Sequence, residues 1–172
     1  MLKKSQKVAI YMEGHIYSEY GKMGMGVLRY LENKIVCVID KKYSNTDVSD
    51  HYSNLKSVPV VYDLETAIKL GAEVLILGIA PSGGKVPSDW YPIIKMALSK
   101  GLSIINGLHD LLQNRFSNLI SKKNQWIWDV RVPNFVPEIA TGKAAKLNNK
   151  RLLMVGTDMA CGKMTTALEV LT

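Results

Sequence analysis

Residues 151–172, RLLMVGTDMACGKMTTALEVLT, hold the residue types best suited to chemistry on a phosphate. An apolar run, LLMVG (152–156), leads into a glycine-containing turn, a lysine and a helical stretch. In such a turn, consecutive backbone N–H groups and the helix N-terminus converge on an anion, and the ammonium neutralises its charge. The spacing departs from the usual phosphate loop, G-x-x-x-x-G-K-[ST]. Here Gly156 and Gly162 enclose five residues, and Met164 takes the hydroxyl position, with Thr165 and Thr166 next. A thioether is no magnesium ligand. Either Thr165 supplies the hydroxyl to the metal, or other residues hold it, or the ligand is a phosphate that needs none. The candidate phosphate-binding set is Gly156, Thr157, Asp158, Gly162, Lys163, Thr165 and Thr166. A plain glycine-rich strand–helix turn is the competing reading.

A second anion candidate is GIAPSGGKVP (78–87), which leaves the end of an apolar run and offers Gly83, Gly84 and Lys85. Open α/β sheets bind ligands at the carboxyl ends of their strands, although a surface turn has the same composition. His109 and Asp110 in NGLHD follow the next such run. An imidazole there is a candidate general base for deprotonating an ammonium group, the alternative being a capping or packed histidine. Glu13, after VAIYM, is a catalytic candidate on the same terms. Asp40 ends IVCVID, where a dinucleotide fold places its ribose-binding acid, but no G-x-G-x-x-G follows the first run. Gly21, Gly24 and Gly26 have the wrong spacing for phosphate and suit close helix packing. Trp126 and Trp128 read as core or as an interface surface.

The elements that must position these residues alternate. VAIYM (8–12), IVCVID (35–40), VPVVY (58–62), EVLILGIA (73–80) and LSIING (102–107) are short, continuous apolar runs rich in Val and Ile, the pattern of strands buried on both faces. Between them GMGVLRYL, DLETAIKLG and SDWYPIIKMALSKG read as helices, with Asp63 and Ser88 as N-caps and Gly71 and Gly101 as stops. Trp90, Ile93, Ile94, Ala97 and Leu98 fall on one helical face. A further helix or two (LHDLLQN, then RFSNLISKK) and a strand in QWIWDVRV complete the set. The fold class is α/β, a Rossmann-like parallel sheet with flanking helices. Domain boundaries are expected at 1–132 for that sheet, 133–150 for a Pro/Gly-containing linker, and 151–172 for the start of a P-loop domain.

Composition bounds the partners. The chain has 172 residues, 47% hydrophobic and 22% charged, within the ordinary globular range. No apolar run approaches the roughly 18 residues of a bilayer span, and the basic start is too short in apolar residues for a secretory signal. Cys37 and Cys161 are too few and too differently placed for a disulfide framework, which points to a reducing cytoplasm. The net charge of +7 lacks the interleaved aromatics of a single-strand-binding surface. An anionic small-molecule ligand is expected, with no nucleic acid and no membrane, in a homo-oligomer.

A parallel strand reaches its partner by a crossover of a dozen or more residues, and too few follow Gly162 to supply one. LLMVG is therefore expected to open a nucleotide-binding domain that continues past residue 172, with this fragment inactive alone. The order VAIYMEG, GVLRYL with IVCVID, LILGIAPSGGKVP, IINGLHDLL, WDVRVP and MVGTDMACGKMTTALE resembles a two-domain bacterial and archaeal family long of unknown function. In that family a Rossmann-like domain precedes a P-loop domain, and some members are D-glutamate N-acetyltransferases. The loop, one residue longer than usual, is also similar to that of dethiobiotin-synthetase-like proteins, which begins Gly-Thr-Asp. The family pattern usually reads Gly-Thr-Asp-Cys-Ala-Val-Gly-Lys, whereas this chain has Met159 and Cys161 at the variable places. The resemblance implies acetyl transfer from acetyl-CoA to a D-amino acid. The loop would then hold CoA or an ATP/GTP-type nucleotide, with magnesium at Thr165. The alternatives are an NAD(P)-binding oxidoreductase or epimerase-like protein, or a non-catalytic nucleotide-binding or oligomerisation domain.

Overall fold

The computed structural model describes residues 2–171 except His51, Asn134, Pro137, Met159 and Ala160. Two compact units appear, Met1–Asn134 and Phe135–Thr172.

In the first unit, β1 (Val8–Tyr11), β2 (Ile35–Ile39), β3 (Val60–Val61), β4 (Val74–Leu77), β5 (Ser103–Asn106) and β6 (Ile127–Asp129) form one parallel sheet in the order β3-β2-β1-β4-β5-β6. The connections carry α1 (Lys22–Tyr30), α2 (Leu64–Lys69), α3 (Tyr91–Ser99) and α4 (Leu112–Phe116). This is the Rossmann strand order, whose reversal falls between β1 and β4. The continuous Val/Ile runs are explained by cover on both faces: every residue of β1 and β4 is buried.

Alternation along β1 sorts the two layers. Ile10 and Met12 face α1. A Cβ on Gly78 would lie 2.6 Å from Ile10 Cγ2 and 3.0 Å from Gly24 Cα, and one on Gly24 would lie 2.5 Å from Met12 Sδ. The Gly24 N–H donates to the Gly78 carbonyl at 2.7 Å. The β1–α1 glycines thus let the helix approach the sheet with Met12 in the gap, while Gly26 meets nothing. On the other face Tyr11 stands edge-on to Trp90, ring centroids 5.5 Å apart.

The helix ends follow local chemistry. The Asp63 carboxylate accepts the Thr66 N–H at 2.8 Å, and Gly71 (φ 89°) and Gly101 (φ 86°) adopt the left-handed conformation that stops a helix. Ser88 does not cap with its side chain. Its turn, Ser88–Trp90, enters from Pro87, whose fixed φ sets the direction, and α3 begins at Tyr91. Of the one or two helices expected over LHDLLQN and RFSNLISKK, one forms: Phe116 leaves helical dihedrals (φ −125°, ψ 6°) and a single turn, Ser117–Leu119, follows. The edge of β3 is covered by its own approach segment, with Val60 N–H donating to Thr46 O and Asn45 N–H to Val60 O.

The second unit contains α5 (Lys163–Leu171) and a turn at Lys143–Lys146. Residues 152–156, expected as a strand, pair with no strand among the described residues. A β segment is defined by its ladder, and Leu152, Leu153 and Val155 are 75%, 81% and 78% exposed. Among the described residues no helix is long and apolar enough to cross a membrane.

Candidate functional site

Three loops leaving β1, β4 and β5 are stitched together around the point where the strand order reverses. From the β1 loop, Tyr20 O accepts the Ala80 N–H at 2.8 Å, and its hydroxyl lies 3.4 Å from Ser82 Oγ. His15 Nδ1 is 2.9 Å from Ser18 Oγ, and the His15 ring meets Tyr20 edge-on at 5.4 Å. From the β5 loop, the His109 N–H donates to Gly84 O at 2.8 Å, and the Asp110 carboxylate accepts the Val86 N–H at 2.6 Å. The 78–87 loop and His109 are therefore direct neighbours.

Gly83 (φ 76°) and Gly84 (φ 65°) make the turn in a conformation that disfavours other residues, and a Cβ on Gly84 would lie 2.2 Å from His109 Cδ2. The imidazole lies over the glycine. Gly84→Ala is expected to lower stability by about 1 kcal/mol through backbone strain. It should also displace the His109 ring, read as a shift of its NMR resonances; unchanged resonances would count against this contact. His109 and Lys85 are exposed, so both can reach a solute.

Sequence reasoning missed the two side chains that hold this edge. Asn106, fully buried, donates from Nδ2 to Asp110 O (2.7 Å) and to Asp129 Oδ1 (2.8 Å), and accepts the Leu108 N–H (3.0 Å). Asp129 also accepts the N–H groups of Leu112 (3.1 Å) and Gln113 (2.9 Å), capping α4 from the end of β6. The available signal was a polar residue closing each apolar run, LSIIN and QWIWD. Trp126 and Trp128 are half-buried against the core.

Glu13 belongs elsewhere. It lines a cavity of about 240 Å³ with Tyr11, Lys41 and Asp89, to which His109 does not contribute, and its Oε2 accepts the Lys41 N–H at 3.3 Å. Asp40 is fully buried and accepts the N–H groups of Ile16 (3.3 Å) and Lys42 (3.0 Å), so the acid is committed to fixing the β1 and β2 loops. With Met12 filling the glycine-lined gap, both features that a dinucleotide site would need serve packing.

In the second unit the Lys163 ammonium donates to Asp158 O at 2.5 Å and to Cys161 Sγ at 3.3 Å, curling over its own loop. Gly162 has φ 90°, and a Cβ on Gly156 would lie 2.3 Å from Cys161 Sγ. Thr165 and Thr166 are exposed on the first turn of α5, and Thr157 is exposed in the loop. Met159 lies outside the described residues. An ammonium, hydroxyls and glycine-flanked backbone are the groups a phosphate needs, and Thr165 and Thr166 both offer exposed hydroxyls beside them.

The Lys163 hydrogen bond holds the Cys161 thiol below the usual range, whereas burial pushes Cys37 up to about 12. A lower pKa means a larger thiolate fraction at a given pH. At neutral pH iodoacetamide should therefore alkylate Cys161 at least about tenfold faster than Cys37, and Lys163→Met should slow the Cys161 reaction. Equal rates by peptide mass mapping would contradict this contact.

Comparison with known proteins divides the chain in the same order. The family described as a domain of unknown function (DUF1611_N), a Rossmann-like domain, matches residues 41–133. The one described as a domain of unknown function (DUF1611_C), a P-loop domain, matches residues 138–172. A D-glutamate N-acetyltransferase of Pseudoalteromonas sp is 47% identical over 107 residues, which cover 60% of this chain and 31% of that protein. One of Tritonibacter scottomollicae is 39% identical over 109 residues, 62% of this chain and 32% of that protein. The crystal structure of a DUF1611 family protein from Anabaena variabilis ATCC 29413 matches with a TM-score of 0.87 at 40% identity, covering 96% of this chain and 48% of its own. The chain thus spans about half the length of that solved relative, and its match spans about a third of the two acetyltransferases. With a six-stranded Rossmann-order sheet followed by a glycine–lysine loop, the chain belongs to the DUF1611 family.

Proposed function

We propose that this chain is the amino-terminal part of an N-acetyltransferase that moves an acetyl group from acetyl-CoA to the amine of a D-amino acid such as D-glutamate. The observation that carries the reading is the 47% identity to a protein named D-glutamate N-acetyltransferase. The geometry adds to it. An amine attacks a thioester only after its ammonium loses a proton; then the N–C bond forms, the C–S bond breaks and the CoA thiolate leaves with a proton. An exposed His109 on a rigid sheet edge is suited to take that first proton. Lys163, Thr165, Thr166 and the backbone around Gly156 and Gly162 would hold the phosphates of CoA, or of an ATP/GTP-type nucleotide with magnesium.

The test is acetyl-CoA-dependent acetylation of D- and L-glutamate, followed by thiol release. It is run on this chain and on a version carrying a complete P-loop domain, with NADH fluorescence titration alongside. Thiol release with D-glutamate by the longer protein is expected. Its absence, with saturable NADH binding, would replace the reading by an oxidoreductase.

A further inference from the structure

The cavity that Glu13 lines sits at the carboxyl ends of β1, β2 and β3, against the start of α2 and one side of α3. Tyr11, the last residue of β1, is only 7% exposed and lines it. No described residue hydrogen-bonds the Tyr11 hydroxyl. The hydroxyl is not among the fully enclosed polar atoms that lack a partner, so it opens onto the cavity, where a ligand or water can meet it. Burial raises its pKa, and the charges of Glu13, Asp89 and Asp40 raise it further, so it remains a neutral hydroxyl in a negative field.

Four carboxylates, Glu13, Asp63, Glu65 and Asp89, line the cavity against one ammonium, Lys41, so its formal charge is strongly negative. Asp63 is occupied in capping α2, and Glu13 gives one oxygen to the Lys41 N–H, which leaves Asp89 and the rest of Glu13 to meet a solute. Among the described residues no three acidic, His or Cys side chains converge as metal ligands do. Dispersed carboxylates around apolar walls, here Ile39, Leu64 and Ile93, suit an extended organic cation better than a point charge.

We propose that this cavity binds a small primary amine as its ammonium ion, with the charged end between the Tyr11 hydroxyl and the Glu13 and Asp89 carboxylates and the hydrocarbon stem against the apolar walls. The site goes beyond the acetyl-transfer reading. A dicarboxylate such as glutamate meets like charge here, so the cavity takes a different ligand from the acceptor in that reaction.

Titration of the 172-residue chain with n-pentylamine, glutarate and D-glutamate, without acetyl-CoA, tests this apart from any catalysis. Trp90 fluorescence is the readout, since that ring lies against Tyr11. Saturable pentylamine binding in the millimolar range is expected, with none by glutarate or D-glutamate. Tyr11→Phe, which keeps the ring on Trp90, and Asp89→Asn, at an exposed position, should each weaken it by about 3- to 10-fold, the worth of one hydrogen bond to a charged group partly seen by water. Thermal melts of both variants verify the fold. Failure of pentylamine to saturate, binding that survives both substitutions, or glutarate binding as tightly as the amine would each overturn the proposal.

Discussion

Asp129→Ala is expected to lower the unfolding free energy by about 3 to 4 kcal/mol, because several buried donors lose one acceptor together. The carboxylate takes the Leu112 and Gln113 N–H groups and one proton of the Asn106 amide, and the residue is 6% exposed, so water cannot take over freely. Urea unfolding measures the loss. Asp129→Asn, which keeps one carbonyl acceptor but turns an NH2 toward the donors, should fall between the two. The damage should also reach the site. Asn106 holds Leu108 and Asp110 around His109, so amide hydrogen exchange should rise across 107–113 in the variant while β1 and β4 stay protected. A loss under about 1 kcal/mol, or exchange rising evenly through the sheet, would show that this network does not hold the loop.

Lys163→Ala is expected to weaken binding of the phosphorylated ligand by about 1.5 to 3 kcal/mol in a version with a complete P-loop domain, since it removes one charge-assisted contact and leaves the backbone cradle. Stability should hardly change: among the described residues the ammonium donates to the Asp158 carbonyl and Cys161 Sγ of its own loop. In the 172-residue chain the effect should be much smaller. Leu152, Leu153, Val155 and Leu171 are all at least 75% exposed there, so little packing preorganises the loop. Isothermal titration of both chains with acetyl-CoA and ATP checks this. Tight, Lys163-dependent binding by the short chain would refute the preorganisation argument. Binding of ATP but not acetyl-CoA by the longer one would favour a nucleotide-dependent ligase or kinase.

What could be read from the sequence alone is what short-range physics controls. The Val/Ile runs predict five of the six strands and QWIWDVRV the sixth; Asp63 and Gly71 delimit α2, and Gly101 closes α3, because strand burial and helix capping depend on residues a few positions apart. The motif order carried the family resemblance for the same reason. Where a local signal needed a distant partner it was incomplete. LLMVG has the composition of a strand, but a strand also needs a ladder, and none forms among the described residues. Asp40 and the β1–α1 glycines stand near dinucleotide-site positions. Only the approach of Gly24 to Gly78 and of Asp40 to Ile16 shows them committed to packing. His109 and Glu13 both follow strand ends and looked alike in sequence. The tertiary structure separates them, because His109 rests on Gly84 from the β4 loop while Glu13 shares its cavity with Tyr11 and with Asp89 at the entrance to α3. Contacts across 25 or 76 residues of chain are set by how the sheet orders its strands, and no window of sequence contains that order.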